Sequence, residues 1–172
     1  PETQAFLCKR YSVEPFLSPA SGTRPAPDDE IVLSHEATWA ETPVYTLTVK
    51  GDGRVILVVV SGPLVGIENY TVPPTIAAHL FSEFDALGFS TRPFVTTGDF
   101  VTCSPASHLS QRLGSRVTRA TRSGQVMVPG DSERLDHLIS LVESVARVGE
   151  HVALCPPALP ARSKLMEQSR SR

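Results

Sequence analysis

The sequence predicts an α+β domain with a mostly antiparallel sheet, two helices packed on one face and extended proline-rich arms at both ends. Apolar residues alternate with period two on either side of Gly51-Asp52-Gly53, which is typical of a β-hairpin. Two later segments carry apolar residues at helical spacing. Many of the 15 prolines cluster near the two termini, where no period is sustained. We therefore expect arms at residues 1–29 and 151–172 and a single domain at 30–150.

Four segments in the first half of the domain predict strands. Ile31–Leu33 is a short opening strand, and Tyr45–Val49 alternates apolar and hydroxyl residues. After the turn, Arg54–Val60 is almost wholly apolar, which indicates a central strand covered on both faces. Val65–Val72 is a further candidate strand.

Two segments predict helices. Pro73-Pro74 suits a first helical turn, and the helix Thr75–Gly88 has one apolar stripe. The closing helix Ser132–Gly149 begins with Asp131 or Ser132 as its cap. Its apolar face consists of Leu135, Leu138, Val142, Val145 and Val148.

The segment between the helices is less regular. We expect weak strands around Phe94-Val95 and Phe100-Val101, a loop at Ser104–Ser107, an exposed strand at Arg116–Arg122 and a short one at Val126–Val128. With the short opening strand and the two weak strands left out, the predicted order of elements is β-β-β-α-β-β-α, an α+β arrangement.

Composition narrows the class of protein. The 172 residues fit one domain with appended segments, and a net charge of −2 argues against a polycation built for nucleic acid. Cys8, Cys103 and Cys155 are too few for a disulfide scaffold, and we expect three free thiols. No signal peptide is recognised, so the predicted location is cytoplasmic, as a peripheral protein at the membrane surface. The alternative is periplasmic, with a leader ahead of the given sequence.

Thr42-Pro43-Val44-Tyr45, the alternating strand that follows, Gly51-Asp52-Gly53 and the next strand together resemble a bacterial family of uncharacterised domains, domain-of-unknown-function family 6438. The resemblance covers residues 30–150, including both helices, and it implies the same α+β fold. The family's cysteine pair is replaced here by Thr38 and Thr42, so a disulfide or metal role of that pair is not carried over. The family supplies no activity.

Catalytic and metal-binding motifs are not recognised in the sequence. No two of the five histidines have the spacing for shared ligation on a helix, and no phosphate loop or nucleophile elbow is present. Asp28-Asp29-Glu30 fits a solvated charge run better than a hard-metal site. Cys103, His108 and Asp99 are the only polar cluster that an enzyme could use. We expect no enzymatic activity, no cofactor and no small-molecule substrate.

The charge distribution is uneven. Residues 100–130 contain Arg112, Arg116, Arg119 and Arg122 and no acid. On a strand, Arg116 and Arg122 share one face and Arg119 lies on the other. The arginines either protect an edge strand from aggregation or form a basic surface for an acidic protein or anionic lipid head groups. Nucleic acid is not expected, because no aromatic residue interleaves with them.

Function is inferred from this organisation. Extended proline-rich chain binds at reduced entropy cost, so the arms are expected to hold partners. The predicted partner-binding residues, besides the four arginines, are apolar: Phe6, Leu7, Tyr11, Phe16, Leu17, Leu159, Leu165 and Met166. The sequence thus predicts a non-catalytic accessory or scaffold subunit that docks by its arms and basic face onto a larger, membrane-embedded complex, respiratory or photosynthetic. The alternative is a free-standing soluble binding module that uses the open sheet face for a peptide or small ligand.

Overall fold

A computed structural model of the chain describes residues 24–36, 44–61, 65–100 and 105–148. This part contains eight strands and two helices. In chain order they are β1 Glu30–Glu36, β2 Val44–Lys50, β3 Arg54–Ser61, β4 Gly66–Thr71, α1 Pro74–Ala86, β5 Thr96–Phe100, β6 Ala106–Leu113, β7 Arg116–Arg122, β8 Gln125–Met127 and α2 Asp131–Val145. The α+β prediction is confirmed, and the predicted arms lie largely outside the described residues.

Six strands form one antiparallel sheet in the order β4-β3-β2-β1-β6-β7, and β5 pairs with β8 in a separate two-stranded sheet. β1 lies near the middle and joins the two halves of the chain. Its Leu33 stands opposite Leu47 of β2 and Leu109 of β6. All three leucines are buried, so this register places one continuous apolar row across the centre of the sheet.

Both helices pack on one face of the six-stranded sheet. α1 contributes Leu80 and Phe84 to the core, α2 contributes Leu135 and Leu138, and all four are fully buried. The helices contact each other, and α2 also contacts β1 and β7. This arrangement confirms the predicted layer of two helices on one side.

The β2–β3 hairpin follows the prediction closely. Leu47 and Leu57 face each other across the antiparallel pair, and both are fully buried. Gly53 adopts a φ of +91°, and its N–H donates to the Lys50 carbonyl at 2.9 Å. A Cβ at this position would stand 2.3 Å from the Val72 carbonyl oxygen, so only glycine fits the turn.

Burial of β3 differs from the prediction. Val55, Leu57 and Val59 are buried, but Ile56 and Val58 are only half-buried and Val60 is 63% exposed. Among the described residues, the predicted cover on both faces is not found, because both described helices lie on one side. β-Branched residues also suit an uncovered pleated surface, so an apolar run does not by itself indicate two covered faces.

β6 was missed from the sequence, and the predicted loop at Ser104–Ser107 in fact gives way to this strand at Ala106. Its core-facing residues are Ser107, Leu109 and Gln111, two of them polar. Ser107 Oγ is hydrogen-bonded to His35 Nδ1, and Gln111 Oε1 accepts a hydrogen bond from Ser90 Oγ at 2.9 Å. These hydrogen bonds to residues distant in sequence reduce the cost of burying Ser107 and Gln111. Polar residues at two core-facing positions interrupt the apolar alternation that identifies a strand.

The starting residues of two elements also differ slightly from the prediction. β5 begins at Thr96, after Phe94 and Val95, so these two residues are not part of the strand. The N-cap of α2 is Gly130, with φ of +85°, rather than Asp131 or Ser132. The observed order is β-β-β-β-α-β-β-β-β-α within the described residues.

The start of the domain is fastened by Asp29. Its two carboxylate oxygens accept hydrogen bonds at 2.8 Å from the N–H groups of Ala26 and Gly114, and its carbonyl accepts one at 2.8 Å from Gly51. The residue is 8% exposed. The prediction of a solvated charge run was therefore wrong for Asp29, which links two hairpin turns at the same end of the sheet.

Candidate protein-binding surface

The sheet face opposite the helices is the candidate functional surface. Side chains alternate along each strand, so the residues between the buried ones point to this open face. It is lined mainly by β-branched and hydroxyl residues: Val32, Ser34, Thr46, Thr48, Ile56, Val58, Ile67, Ser110, Val117 and Thr121. Both described helices pack on the other side, so no helix of this part of the chain covers the face.

The β3–β4 end of the open face carries an apolar corner, formed by Val58, Val60, Val65 and Ile67. Val58 and Ile67 are cross-strand partners. Val60, Val65 and Ile67 are between 63% and 69% exposed, the highest values among the exposed large hydrophobic residues. Neighbouring exposed aliphatic side chains at one place mark a contact surface more strongly than isolated ones do.

Near the middle of the same face, an ion-paired row fixes three charges. Glu30 stands opposite Lys50 on one side and Arg112 on the other. It accepts hydrogen bonds from Arg112 Nε at 3.0 Å and from Lys50 Nζ. These two partners, Arg112 first, hold the pKa of the Glu30 carboxyl below its ordinary value, and Glu30 raises the pKa of Arg112. The positive charge of Arg112 is thus balanced within the sheet.

The four predicted arginines do not form one surface. Arg112 and Arg119 lie on the open face, and Arg116 and Arg122 lie on the helix side, as the buried Ala120 between them confirms. Arg122 pairs with Asp136 at 3.0 Å, and Arg116 donates to the Ser90 carbonyl. For Arg119 no ion pair is seen among the described residues, and its side chain is exposed.

The polar cluster considered for an enzyme is only partly described. His108 lies on the open face, with Nδ1 3.1 Å from Thr121 Oγ1 and Nε2 3.4 Å from Glu36 Oε1. Asp99 lies on β5, and Cys103 falls outside the described residues, as do Cys8 and Cys155. His108 thus contacts its cross-strand partner on β7 and a carboxylate at the end of β1.

A buried polar cluster that the sequence reasoning missed lies on the core side. Tyr45 Oη donates to Glu143 Oε1 at 2.5 Å, and His35 Nε2 lies 3.6 Å from the same oxygen. His35 Nδ1 is 2.6 Å from Ser107 Oγ. Glu143 is fully buried on α2, so the cluster joins β1, β2 and β6 to that helix. The sequence feature that could have indicated this cluster is a glutamate within the largely apolar stretch Leu141–Val145.

This cluster contains a hydroxyl, an imidazole and a carboxylate, the groups of a nucleophilic triad. Ser107 is only 6% exposed, however, and Tyr45 occupies the carboxylate oxygen that would orient the imidazole. A nucleophile needs access to its substrate and to nearby donors for the developing oxyanion. The arrangement therefore indicates a polar cluster within the core rather than an accessible nucleophile.

Within the described ranges, no three histidine, cysteine, aspartate or glutamate side chains come close enough to hold a metal ion. Neither helix of the same residues has the length and apolar character needed to cross a membrane.

The sequence matches no protein-family model and no curated protein. The resemblance to domain-of-unknown-function family 6438 stays a prediction. The predicted partner-binding residues of both arms, from Phe6 to Leu17 and from Leu159 to Met166, lie outside the described residues.

Proposed function

We propose that the protein is a non-catalytic accessory or scaffold subunit that binds a larger protein assembly through the open face of its six-stranded sheet. The observation that carries the proposal is the apolar corner. Val60, Val65 and Ile67 lie together at the end of a face that no described helix covers. Burying such side chains in a complex stabilises it by roughly 1–2 kcal/mol each, given their present partial exposure.

The dimensions of the face suit a protein partner. Six strands at about 4.8 Å spacing make a surface roughly 24 Å wide, and strands of six to eight residues are roughly 20–26 Å long. A standard interface buries about 800 Å² on each partner. The open face supplies a large part of that area, and we assign the remainder to the arms.

The chemistry of the face favours a partner with apolar and acidic groups. The apolar corner lies at the β3–β4 end, and the exposed Arg119 lies at the β7 end, where its charge is available to a partner. The membrane-embedded host and contact with anionic lipid head groups remain predictions from the sequence, as do the docking arms.

The small-ligand alternative has less support. A depression on the open face, bordered by Val32, His108 and Arg119, has a volume of about 130 Å³. Ligand pockets for small molecules usually have about 300–1,000 Å³. Among the described residues, a cleft of about 590 Å³ at the β7 edge of the face falls within that range, so a small ligand has support at that edge and not at the centre of the face.

The proposal is tested by introducing a charge into the apolar corner. In native cells that carry a tagged copy of this chain, we expect the wild type to sediment in an assembly well above the 18.6 kDa of the chain. Ile67→Asp should move it to the free fraction, because an unpaired carboxylate would be buried at the interface. Thr75→Asp, an exposed position on α1, is the matched control and should remain assembled.

A thermal melt of each purified variant shows that the fold is intact. Wild-type protein that sediments alone, or Ile67→Asp that stays assembled, would contradict the proposal.

A further inference from the structure

β7 is a free edge of the six-stranded sheet: it pairs with β6 on one side, and no described strand pairs with it on the other. The turn from β6 to β7 has two residues, with Gly114 at φ +55°. In such a turn the Arg116 N–H donates a hydrogen bond to the Leu113 carbonyl. The main-chain N–H and C=O groups of Thr118 and Ala120 therefore point towards β6. The main-chain groups of Val117, Arg119 and Thr121 point away from it.

A cleft of about 590 Å³ runs along this edge. One wall is β7 itself, from Arg116 to Thr121. The other consists of residues 89–94, Thr96 and Met127. Six strand residues span roughly 20 Å, so the cleft is long enough for an extended segment to lie beside β7.

The second wall is held in place by α2. Asp131 Oδ2 accepts a hydrogen bond from the Val95 N–H at 3.0 Å, and Asp131 Oδ1 accepts one from Arg92 Nη2 at 3.2 Å. Arg134 donates to the Arg92 carbonyl at 3.1 Å, and its guanidinium stacks 4.0 Å from the ring centre of Phe94. A wall fixed in this way lowers the entropy lost when a ligand binds.

The charge of the cleft has one sign. Arg92, Arg116 and Arg119 are among the residues that the structure places around it, and none of those residues is acidic. The Arg92 side chain is 66% exposed despite its contact with Asp131. Arg116 donates to the Ser90 carbonyl on the other wall. The exposed Arg92 and Arg119 disfavour pairing with β7 of a second copy and favour a strand with carboxylates.

We propose that β7 accepts an extended, acidic segment of a partner protein as an added antiparallel or parallel strand. Main-chain hydrogen bonds to Val117, Arg119 and Thr121 would supply affinity, and the arginines would select acidic side chains. This site is separate from the apolar corner and does not depend on the proposed function.

The opposite edge of the sheet is an internal comparison. β4 is equally unpaired in the described chain, but its sequence Gly66–Thr71 contains Glu68 and no arginine. An edge strand alone would bind at both ends of the sheet. The arginines and the second wall predict binding at β7 only.

The probe is a fluorescein-labelled octapeptide of alternating glutamate and valine, with alternating lysine and valine as the matched control. Fluorescence anisotropy with the full chain should show binding of the acidic peptide alone. Val117→Pro removes one outward N–H and should weaken binding about tenfold, whereas Val117→Ala keeps that N–H and should stay within about twofold. Arg119→Glu, which leaves the main chain unchanged, should weaken binding by about fivefold or more.

Amide hydrogen exchange locates the peptide. The N–H groups of Val117, Arg119 and Thr121 should exchange more slowly with the acidic peptide, while those of Thr118 and Ala120 should not change. The proposal is overturned if neither peptide binds, if both bind alike, if protection falls on β4, or if Val117→Pro and Val117→Ala bind equally. Should Val117→Pro fail the thermal melt, undiminished binding by Arg119→Glu overturns the proposal instead.

Discussion

The two faces of the six-stranded sheet are built from the same strands, yet they differ in burial. On the helix side, Leu33, Leu47 and Leu57 are fully buried. On the open side, the adjacent Thr48 and Val58 are half-buried, and Ile67 is 69% exposed. The difference comes from the helices, since an aliphatic residue on a strand is buried only where a second layer covers it.

The covered face contributes to the stability of the fold, and the open face contributes to binding. Substitutions on the covered face remove contacts that the folded chain makes with itself. Those on the open face remove contacts that only a partner would make. We therefore expect the loss of unfolding free energy on substitution to decrease sharply from the covered face to the open face.

The largest effect is expected at the centre of the covered face. Leu47→Ala should lower the free energy of unfolding by about 2–5 kcal/mol, because the side chain is fully buried and leaves a cavity. Urea denaturation followed by circular dichroism measures it. The neighbouring Thr48→Ala on the open face is the control and should change the free energy by less than about 1 kcal/mol. Equal effects at the two positions would remove the distinction between the faces.

The buried polar cluster should give the next effect. Tyr45→Phe removes the hydroxyl that donates to the fully buried Glu143 carboxylate and should cost about 1–3 kcal/mol of unfolding free energy. Tyr70→Phe removes a partly buried hydroxyl that donates to the neutral Ala146 carbonyl, and it should cost less. Denaturation of both variants at pH 7 makes the comparison. A smaller loss for Tyr45→Phe than for Tyr70→Phe would show that the carboxylate is satisfied without Tyr45.

A pH-dependent effect is expected on the open face. Arg112 and Lys50 lower the pKa of Glu30 in the folded chain below its ordinary value of 4.5. The charged form therefore adds stability that is complete above that value and is lost as the pH falls through the lowered pKa. Glu30→Gln should reduce the free energy of unfolding at pH 7 by at most about 1 kcal/mol, since the pair is partly exposed.

Thermal melts at pH 7 and pH 3 measure this difference. It should shrink at the lower pH, where the wild-type carboxyl takes up a proton. A difference that stays constant between the two pH values would rule out the ion pair as its source.

The smallest effect on folding is expected at the apolar corner. Ile67→Thr keeps a β-branched side chain at an exposed strand position and should change the free energy of unfolding by less than about 0.5 kcal/mol. The same urea titration measures it. A loss comparable to that of Leu47→Ala would mean that Ile67 is covered within the chain, and the apolar corner would no longer be a free surface.

Local signals were sufficient for much of the fold. The β2–β3 hairpin follows from alternation and an Asp-Gly turn, and both helices follow from apolar stripes, because each of these signals is contained within a short stretch of chain. β6 was not predictable in this way. Ser107 and Gln111 are buried because His35 and Ser90, distant in sequence, supply their hydrogen bonds.

The candidate surface was predicted only in part. The alternation of side chains along β7 correctly placed Arg119 on the opposite face of the sheet from Arg116 and Arg122. The pairing of Arg112 with Glu30 and of Arg122 with Asp136 depends on which strands and helices become neighbours. The cleft beside β7 likewise requires the position of residues 89–96, which Asp131 and Arg134 set from a distant helix.

The link from Asp29 to Gly114 spans 85 residues of sequence, and it has a consequence for synthesis on the ribosome. At about 5–20 residues per second, β1 waits roughly 4–17 s for the β6–β7 turn to be made. During that interval the hairpins from β1 to β4 can form, but the side of β1 that later pairs with β6 stays without its neighbour. An unpaired strand with Ile31 and Leu33 is prone to associate with other nascent chains. The centre of the finished sheet is therefore the edge that most needs protection while the protein is being made.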